Sequence, residues 1–251
     1  MKNKVWKNGI QALVWAAFLV GAWCLAYVLA GNELLIPSLS SCLKELGLFW
    51  VSGSFWRAVG STMGRTFLAF LLSFVLSLVA AVAAYLLPWL RRFLTPIVAI
   101  FRSVPTLAAM LIILVWTGAA GAPIAVAFMA LFPMLYTSFL AALMQVDGEL
   151  LEMSRVYKVP LMQRITQMYL PLSAPYALRE SGAACSFAVK LVVSAEVLAG
   201  TFGSLGGMMQ DAKAFYEMPA LFALVIVAFL IGLAIEGMFA LFSSLVERRV
   251  K

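Results

Sequence analysis

An all-α integral membrane protein with six membrane-spanning helices is the fold class this sequence predicts, on three observations. Of its 251 residues, 64% are hydrophobic and only 12% charged, about half the charged share of an ordinary soluble domain. The apolar residues gather in runs of about 20 or more, enough to cross a hydrocarbon core of about 30 Å. Lysine and arginine collect on alternate connections between those runs. A soluble fold of this size has no interior large enough to hide so much apolar surface, so its solvent is lipid. The length suits a single membrane domain, 1–251.

The first predicted span is 10–30. Lys2, Lys4 and Lys7 precede it in the manner of a signal peptide, but the apolar stretch exceeds the usual h-region, so a membrane helix is expected. Pro37, Ser38, Ser40 and Ser41 mark a loop and a helix start. Leu43, Leu46, Leu48 and Phe49 then mix with Lys44 and Glu45 as in a short interfacial helix. The second span is 62–87, closed by Pro88, Arg91 and Arg92. The third, 94–116, is interrupted by Arg102-Ser103-Val104-Pro105. A tight turn over 118–121 leads to the fourth span, 123–144. A polar segment, 146–171, separates it from the fifth, 172–198. After a glycine-rich loop over 200–207, the sixth runs over 220–245.

Positive charge orients these spans, because basic residues are retained on the cytoplasmic side. With the N-terminus inside, the inner pieces carry Lys2, Lys4, Lys7, Arg91, Arg92, Arg155, Lys158, Arg164, Arg248, Arg249 and Lys251, eleven in all, against Lys44, Arg57 and Lys213 outside. Both termini and the 146–171 segment are therefore expected in the cytoplasm. The net charge of +7 does not indicate nucleic acid, because no basic stripe with interleaved aromatics accompanies it. Cys24, Cys42 and Cys185 are odd in number and lack metal-ligand spacing.

The polar segment has helical patterning over 146–157, where Leu150, Leu151, Ser154 and Val156 alternate with Asp147, Glu149, Glu152 and Arg155. Pro160 is expected to open a second short helix, and Pro171 to start or bend the fifth span. Two short helices joined at Lys158-Val159 would present a firm surface to a partner. An amphipathic loop that only anchors two spans is the competing reading of the patterning alone.

Glu152, Met153 and Ser154, then Lys158, then Met168, Leu170 and Pro171 keep the spacing of a known pattern: Glu-Ala-Ala, three residues, Gly, nine residues, Ile, one residue, Leu-Pro. The segment resembles the cytoplasmic loop of importer-type ABC transporter permeases of the binding-protein-dependent family. Met-Ser replaces Ala-Ala, and Lys158 stands at the glycine position, with Pro160 expected to supply the turn instead. The resemblance extends over about 35–250 and is closest to the branch serving nitrate, sulfonate, taurine, bicarbonate and thiamine-precursor uptake. Arg102-Ser103-Val104-Pro105 and Ala195-Glu196-Val197-Leu198 support it.

The resemblance implies a dimer of such chains, a homodimer in the simplest case, in a bacterial-type cytoplasmic (inner) membrane. It further implies two cytoplasmic ATPase subunits carrying ATP and Mg, and an external binding protein that delivers the solute. In that arrangement Glu152, Met153, Ser154, Arg155, Lys158, Leu170 and Pro171 belong to the loop that couples to the ATPase. The expected solute is a small anion, sulfonate- or nitrate-like, with a thiamine-precursor-like or other polar nutrient as the alternative. A non-transporting membrane scaffold and an ATPase-independent channel or carrier are the rivals of other classes.

No cofactor is expected on this chain itself. The string nearest to a phosphate loop, Gly60-Ser61-Thr62-Met63-Gly64-Arg65-Thr66, is one residue short, has Arg for Lys and precedes an apolar helix. It reads as a small-residue helix start. The chain contains no histidine, which excludes His-based triads and His metal sites, and no enzymatic activity is expected.

Charges inside the spans remain. Arg102, Arg179, Glu180, Lys190 and Glu196 fall in or near apolar runs, where each must face protein, water or a partner. Lys190 is a candidate for the wall or gate of a solute path, with packing as its equal. Glu196 is expected either to neutralise Lys190 or to contact the binding protein. Arg102, Ser103 and Pro105 mark a helix break that serves either as a hinge beside the path or as a packing kink.

Overall fold

Small residues line the buried face of the second apolar helix, and many bulky apolar residues face outward. The computed structural model describes residues 2–145, 153–154 and 156–250, with side chains at 2–10, 12, 13, 16, 161, 170–176, 179 and 244–250 outside that description. The helices are α1 (Lys2–Ala30), α2 (Leu39–Val51), α3 (Gly53–Leu86), α4 (Pro88–Ser103), α5 (Thr106–Met144), α6 (Leu161–Arg164), α7 (Leu170–Ala199), α8 (Leu205–Ala214) and α9 (Met218–Val250). A π-helical turn, Ile165–Tyr169, joins α6 to α7. No strand occurs among the described residues. Four stretches are long and apolar enough to cross a membrane: Gly53–Leu86, Thr106–Met144, Glu180–Ala199 and Met218–Ser243.

Along α3, Ala58, Thr62, Thr66, Ala69, Ser73, Ser77, Ala81 and Ala84 are buried at spacings of three and four, which keeps them on one helix face. Phe67, Leu71, Leu72, Val75 and Val79 on the other faces are exposed. This is the inside-out pattern of a membrane bundle, where small residues let backbones approach and the lipid accepts the large side chains. The small hydroxyls return their protons to the helix: Ser73 Oγ donates to the Ala69 carbonyl at 2.7 Å, and Thr66 Oγ1 to that of Thr62 at 2.8 Å. The main core joins α3, α5 and α7 around Phe70, Leu131, Leu135, Phe139, Ala188 and Val192.

Two span boundaries differ from those expected. The second apolar helix starts at Gly53, not at 62, so the glycine-rich string lies inside it rather than at its start. No single helix covers 94–116. The chain is extended at Val104 and Pro105 because a proline disfavours helical geometry in the residue before it, and α4 and α5 are separate. The turn expected over 118–121 is confined to Gly118 (φ 68°, ψ 177°), a conformation open essentially to glycine alone. It brings Met110 from one arm of α5 into a cluster with Ala122 and Val126 from the other and Ala195 of α7.

The ends are tied separately. Ser38 caps α2 by accepting from the Ser41 N–H at 3.2 Å. Trp23 of α1 donates to the Pro37 carbonyl at 3.0 Å and meets Phe222 of α9 edge-on.

Candidate functional site

Polar side chains interrupt the apolar bundle at its two ends and at one point between them. At the end near Gly200, Glu196 is fully buried and every contact it makes is with a donor. Arg65 Nη1 donates to Oε1 at 2.9 Å; Thr62 Oγ1 donates to Oε2 at 2.8 Å; the Gly206 N–H donates to Oε2 at 3.2 Å. Thr62 Oγ1 in turn accepts from the Leu205 N–H at 2.9 Å. The carboxylate thus sits against the first turn of α8, where unpaired N–H groups favour an anion. Ser204 caps the same turn, accepting from Gly207 at 2.9 Å.

The glycines here divide by role. Gly200 and Gly203 have positive φ and make the turn. Gly206 lies in the helix, where a Cβ would collide with the Glu196 side chain and the Val193 carbonyl. The expectation for Glu196 is therefore corrected. It is neither paired with Lys190 nor available to a binding protein, because Arg65, Thr62 and Gly206 occupy it on the inward side of α7. Thr62 and Arg65 had been read only as part of a small-residue string. The available signal was Arg65 itself, a charge at the start of the expected span 62–87 with no acidic residue between Glu45 and Asp147.

At the opposite end lies the polar segment. Glu152 and Arg155 fall outside the described residues. Met153 is exposed and Ser154 buried. Met153, Ser154 and Val156 are helical; Lys158 follows with φ 49°, and the Val159 N–H closes back to the Ser154 carbonyl at 3.0 Å. This six-residue closure around a left-handed residue is the Schellman helix end, whose left-handed position is normally glycine. Lys158 itself makes the turn expected of Pro160. Arg164 Nε braces it by donating to the Val159 carbonyl at 2.9 Å. Met153, Tyr157, Arg164 and Met168 line a notch of about 300 Å³ beside the turn.

From that turn, helical structure runs on into the bundle. Pro171 stands in the first turn of the fifth helix, just after Leu170, and that helix continues from α6 through the π turn. Lacking an N–H, Pro171 cannot bond the Gln167 carbonyl, and the turn just before it widens to π geometry. Ile165 packs on the main core and Tyr169 is buried in it, the Tyr169 ring meeting Tyr85 of α3 edge-on at 5.2 Å.

Between these ends, Arg102 is exposed and donates to Thr137 Oγ1 at 3.3 Å. Ser103 Oγ donates to the Ile100 carbonyl at 2.9 Å, and Pro105 is the N-cap of α5. Lys190 is exposed on α7, with no ion pair or hydrogen bond among the described residues. Glu236 of α9, a further charge within an apolar helix, is exposed too. The structure does not gather Arg102, Lys190 and Glu196 into one site.

Residues 73–251 match the family model described as the binding-protein-dependent transport system inner membrane component. The riboflavin transport system permease protein RibX of Chloroflexus aurantiacus is 29% identical over 230 residues, 90% of this chain and 85% of that protein. The taurine transport system permease protein TauC of Escherichia coli is 24% identical over 233 residues, 89% of this chain and 84% of its own. Among solved structures, an inward-facing form of the MetNI methionine ABC transporter aligns with a TM-score of 0.67 at 21% identity, covering 76% of this chain and 94% of the matched chain.

Proposed function

Because this chain belongs to the inner membrane components of binding-protein-dependent transport systems, as an ABC transporter permease, we propose that it forms half of a dimeric path for import of a small solute. The match over residues 73–251 carries this reading. The alternating charge of the six expected spans, with the second helix starting at Gly53 and the third apolar stretch broken at Val104–Pro105, puts both termini and residues 146–171 in the cytoplasm. Two ATPase subunits dock there and hold ATP and Mg; this chain catalyses nothing itself. A solute-binding protein docks at the other face, and the whole assembly sits in the inner membrane of a bacterial-type cell.

In this reading the short helix expected around Glu152 seats on the ATPase. The left-handed turn at Lys158 supports it, because the turn stands at the position where the resembled loop keeps glycine. A rigid route inward also supports it: the braced turn leads through Ile165 and Tyr169 to the core of α3, α5 and α7. ATP-driven closure moves that turn, and the helices move with it by alternating access. The extended break at Val104–Pro105, just after Arg102 and Ser103, is a natural hinge for α4 against α5. Relatives named for riboflavin and taurine transport support a small polar nutrient as the solute, of which a sulfonate- or nitrate-like anion is the first choice and a thiamine-precursor-like molecule the second.

The test is purification with the co-expressed ATPase and binding protein, followed by ATP-driven uptake in proteoliposomes. Retained ATPase and solute-dependent uptake are expected, both reduced by Glu152→Ala with membrane insertion unchanged. Failure to retain any ATPase overturns the coupling reading. ATP hydrolysis that solute stimulates without uptake indicates a scaffold.

A further inference from the structure

Helix α7 contains the most buried of the four apolar stretches, and over 183–198 its exposed residues form one narrow stripe. Ala183, Phe187, Lys190, Ser194 and Leu198 succeed one another by four, three, four and four residues, which holds them on a single helix face. Lys190 lies nine residues before the helix end at Ala199, about 14 Å along the axis. That is deeper than a four-carbon stem reaches back to an interface. An unpaired ammonium at that depth is strongly disfavoured against lipid and must face water, protein or a partner.

Among the described residues no neighbour relieves it. Glu196 is turned inward and taken by Arg65. Glu236 stands too far along α9: Gly232 meets Ser186, and Phe239 comes up against Gly182, so Glu236 is level with the first turn of the stripe, about two turns from Lys190. The stripe instead borders an open groove of about 300 Å³ between α7 and α9. Its walls include Val193, Val197, Val225 and Phe229, with Lys190 and Ser194 as its polar groups.

We propose that Lys190 and Ser194 form the polar end of a binding site, on the solute path, for an organic anion with a small apolar body. The inference rests on the permease reading above. The ammonium supplies charge without fixed geometry and the hydroxyl a hydrogen bond, which suits a carboxylate or sulfonate head; the valines and Phe229 take the apolar part. In a twofold pair of permease chains, the second copy presents the same stripe.

The test uses proteoliposomes holding the permease and its ATPase, with Cys24, Cys42 and Cys185 replaced by alanine and Ser194→Cys introduced. Two thiol reagents of opposite charge are compared, 2-sulfonatoethyl and 2-(trimethylammonium)ethyl methanethiosulfonate, each relative to its rate with free cysteine. A charge one helical turn away favours the anionic reagent by roughly tenfold or more. Lys190→Gln is expected to abolish the preference, Lys190→Arg to keep it, and added methanesulfonate to slow the anionic reaction. A site that neither reagent reaches, a preference indifferent to Lys190→Gln, or no protection by methanesulfonate overturns the proposal. ATPase retention is read in the same vesicles. An intact complex without charge preference overturns the anion site alone, whereas loss of the ATPase overturns the permease reading as well.

Discussion

The two polar ends of this molecule are built on opposite principles. Near Gly200, one carboxylate is sealed from solvent and answered by a guanidinium, a hydroxyl and a backbone N–H drawn from α3 and the start of α8. Near Lys158, the chain turns on a lysine in a glycine conformation, beside exposed Met153 and Tyr157, with a single guanidinium bracing the backbone. The first end joins distant parts of the sequence and tolerates little. The second is almost wholly local and open on one side. Under the proposed function the first is a closed fixture that keeps helices in register, and the second the accessible lever that moves them.

The contrast breaks most visibly if the sealed end is opened. Glu196→Ala leaves Arg65 largely buried without its partner and is expected to destabilise the protein by about 3–5 kcal/mol, read as a lower thermal midpoint in detergent. The same midpoint after Met153→Ala, at the exposed end, should shift by less than about 0.5 kcal/mol. Gly206→Ala comes next. Forcing a methyl between α8 and Glu196 is expected to cost about 1–3 kcal/mol, and a neutral result would mean that the two helices do not touch there.

Lys158→Gly sharpens the comparison from the other side. Relieving the left-handed lysine should stabilise that turn by about 1 kcal/mol, measured as roughly fivefold slower hydrogen exchange at the Val159 amide that closes on Ser154. The smallest effect concerns reactivity rather than stability. Burial, with a lesser contribution from the Glu45 carboxylate, raises the Cys42 thiol above its ordinary range. The reactive thiolate is therefore scarcer at any given pH. A membrane-permeant maleimide should label Cys42 about tenfold or more slowly than free cysteine, with the Cys42 rate still rising above pH 9.

How far the sequence could be read followed the range of the interactions. Apolar runs, Pro105 and the glycines at 118 and 200 are local signals, and the helices and their breaks follow from them. The spacing from Glu152 to Pro171 is local too. The Arg65–Glu196 pair is not, since 131 residues separate its members, and nothing in either neighbourhood names the other. The buried face of α3 was equally hidden, because alanine, serine and threonine inside an apolar run read as interruptions until a neighbour is seen packed on them. Glu236 escaped notice near the end of the last run. Lys158 was recognised as out of place, but lysine so seldom takes a positive φ that its conformation could not be read from its identity.

The order of the Arg65–Glu196 pair along the chain bears on how the protein is made. Synthesis runs from the N-terminus, so the helix carrying Arg65 is complete before Glu196 leaves the ribosome. A lone glutamate entering a nascent membrane span raises the cost of inserting it. Here the incoming helix meets a cation and a hydroxyl already in place, and the last donor, Gly206, follows within ten residues. Biogenesis of the C-terminal half thus depends on a residue laid down in the N-terminal third, and a defect at Arg65 would first be felt as failed integration of α7.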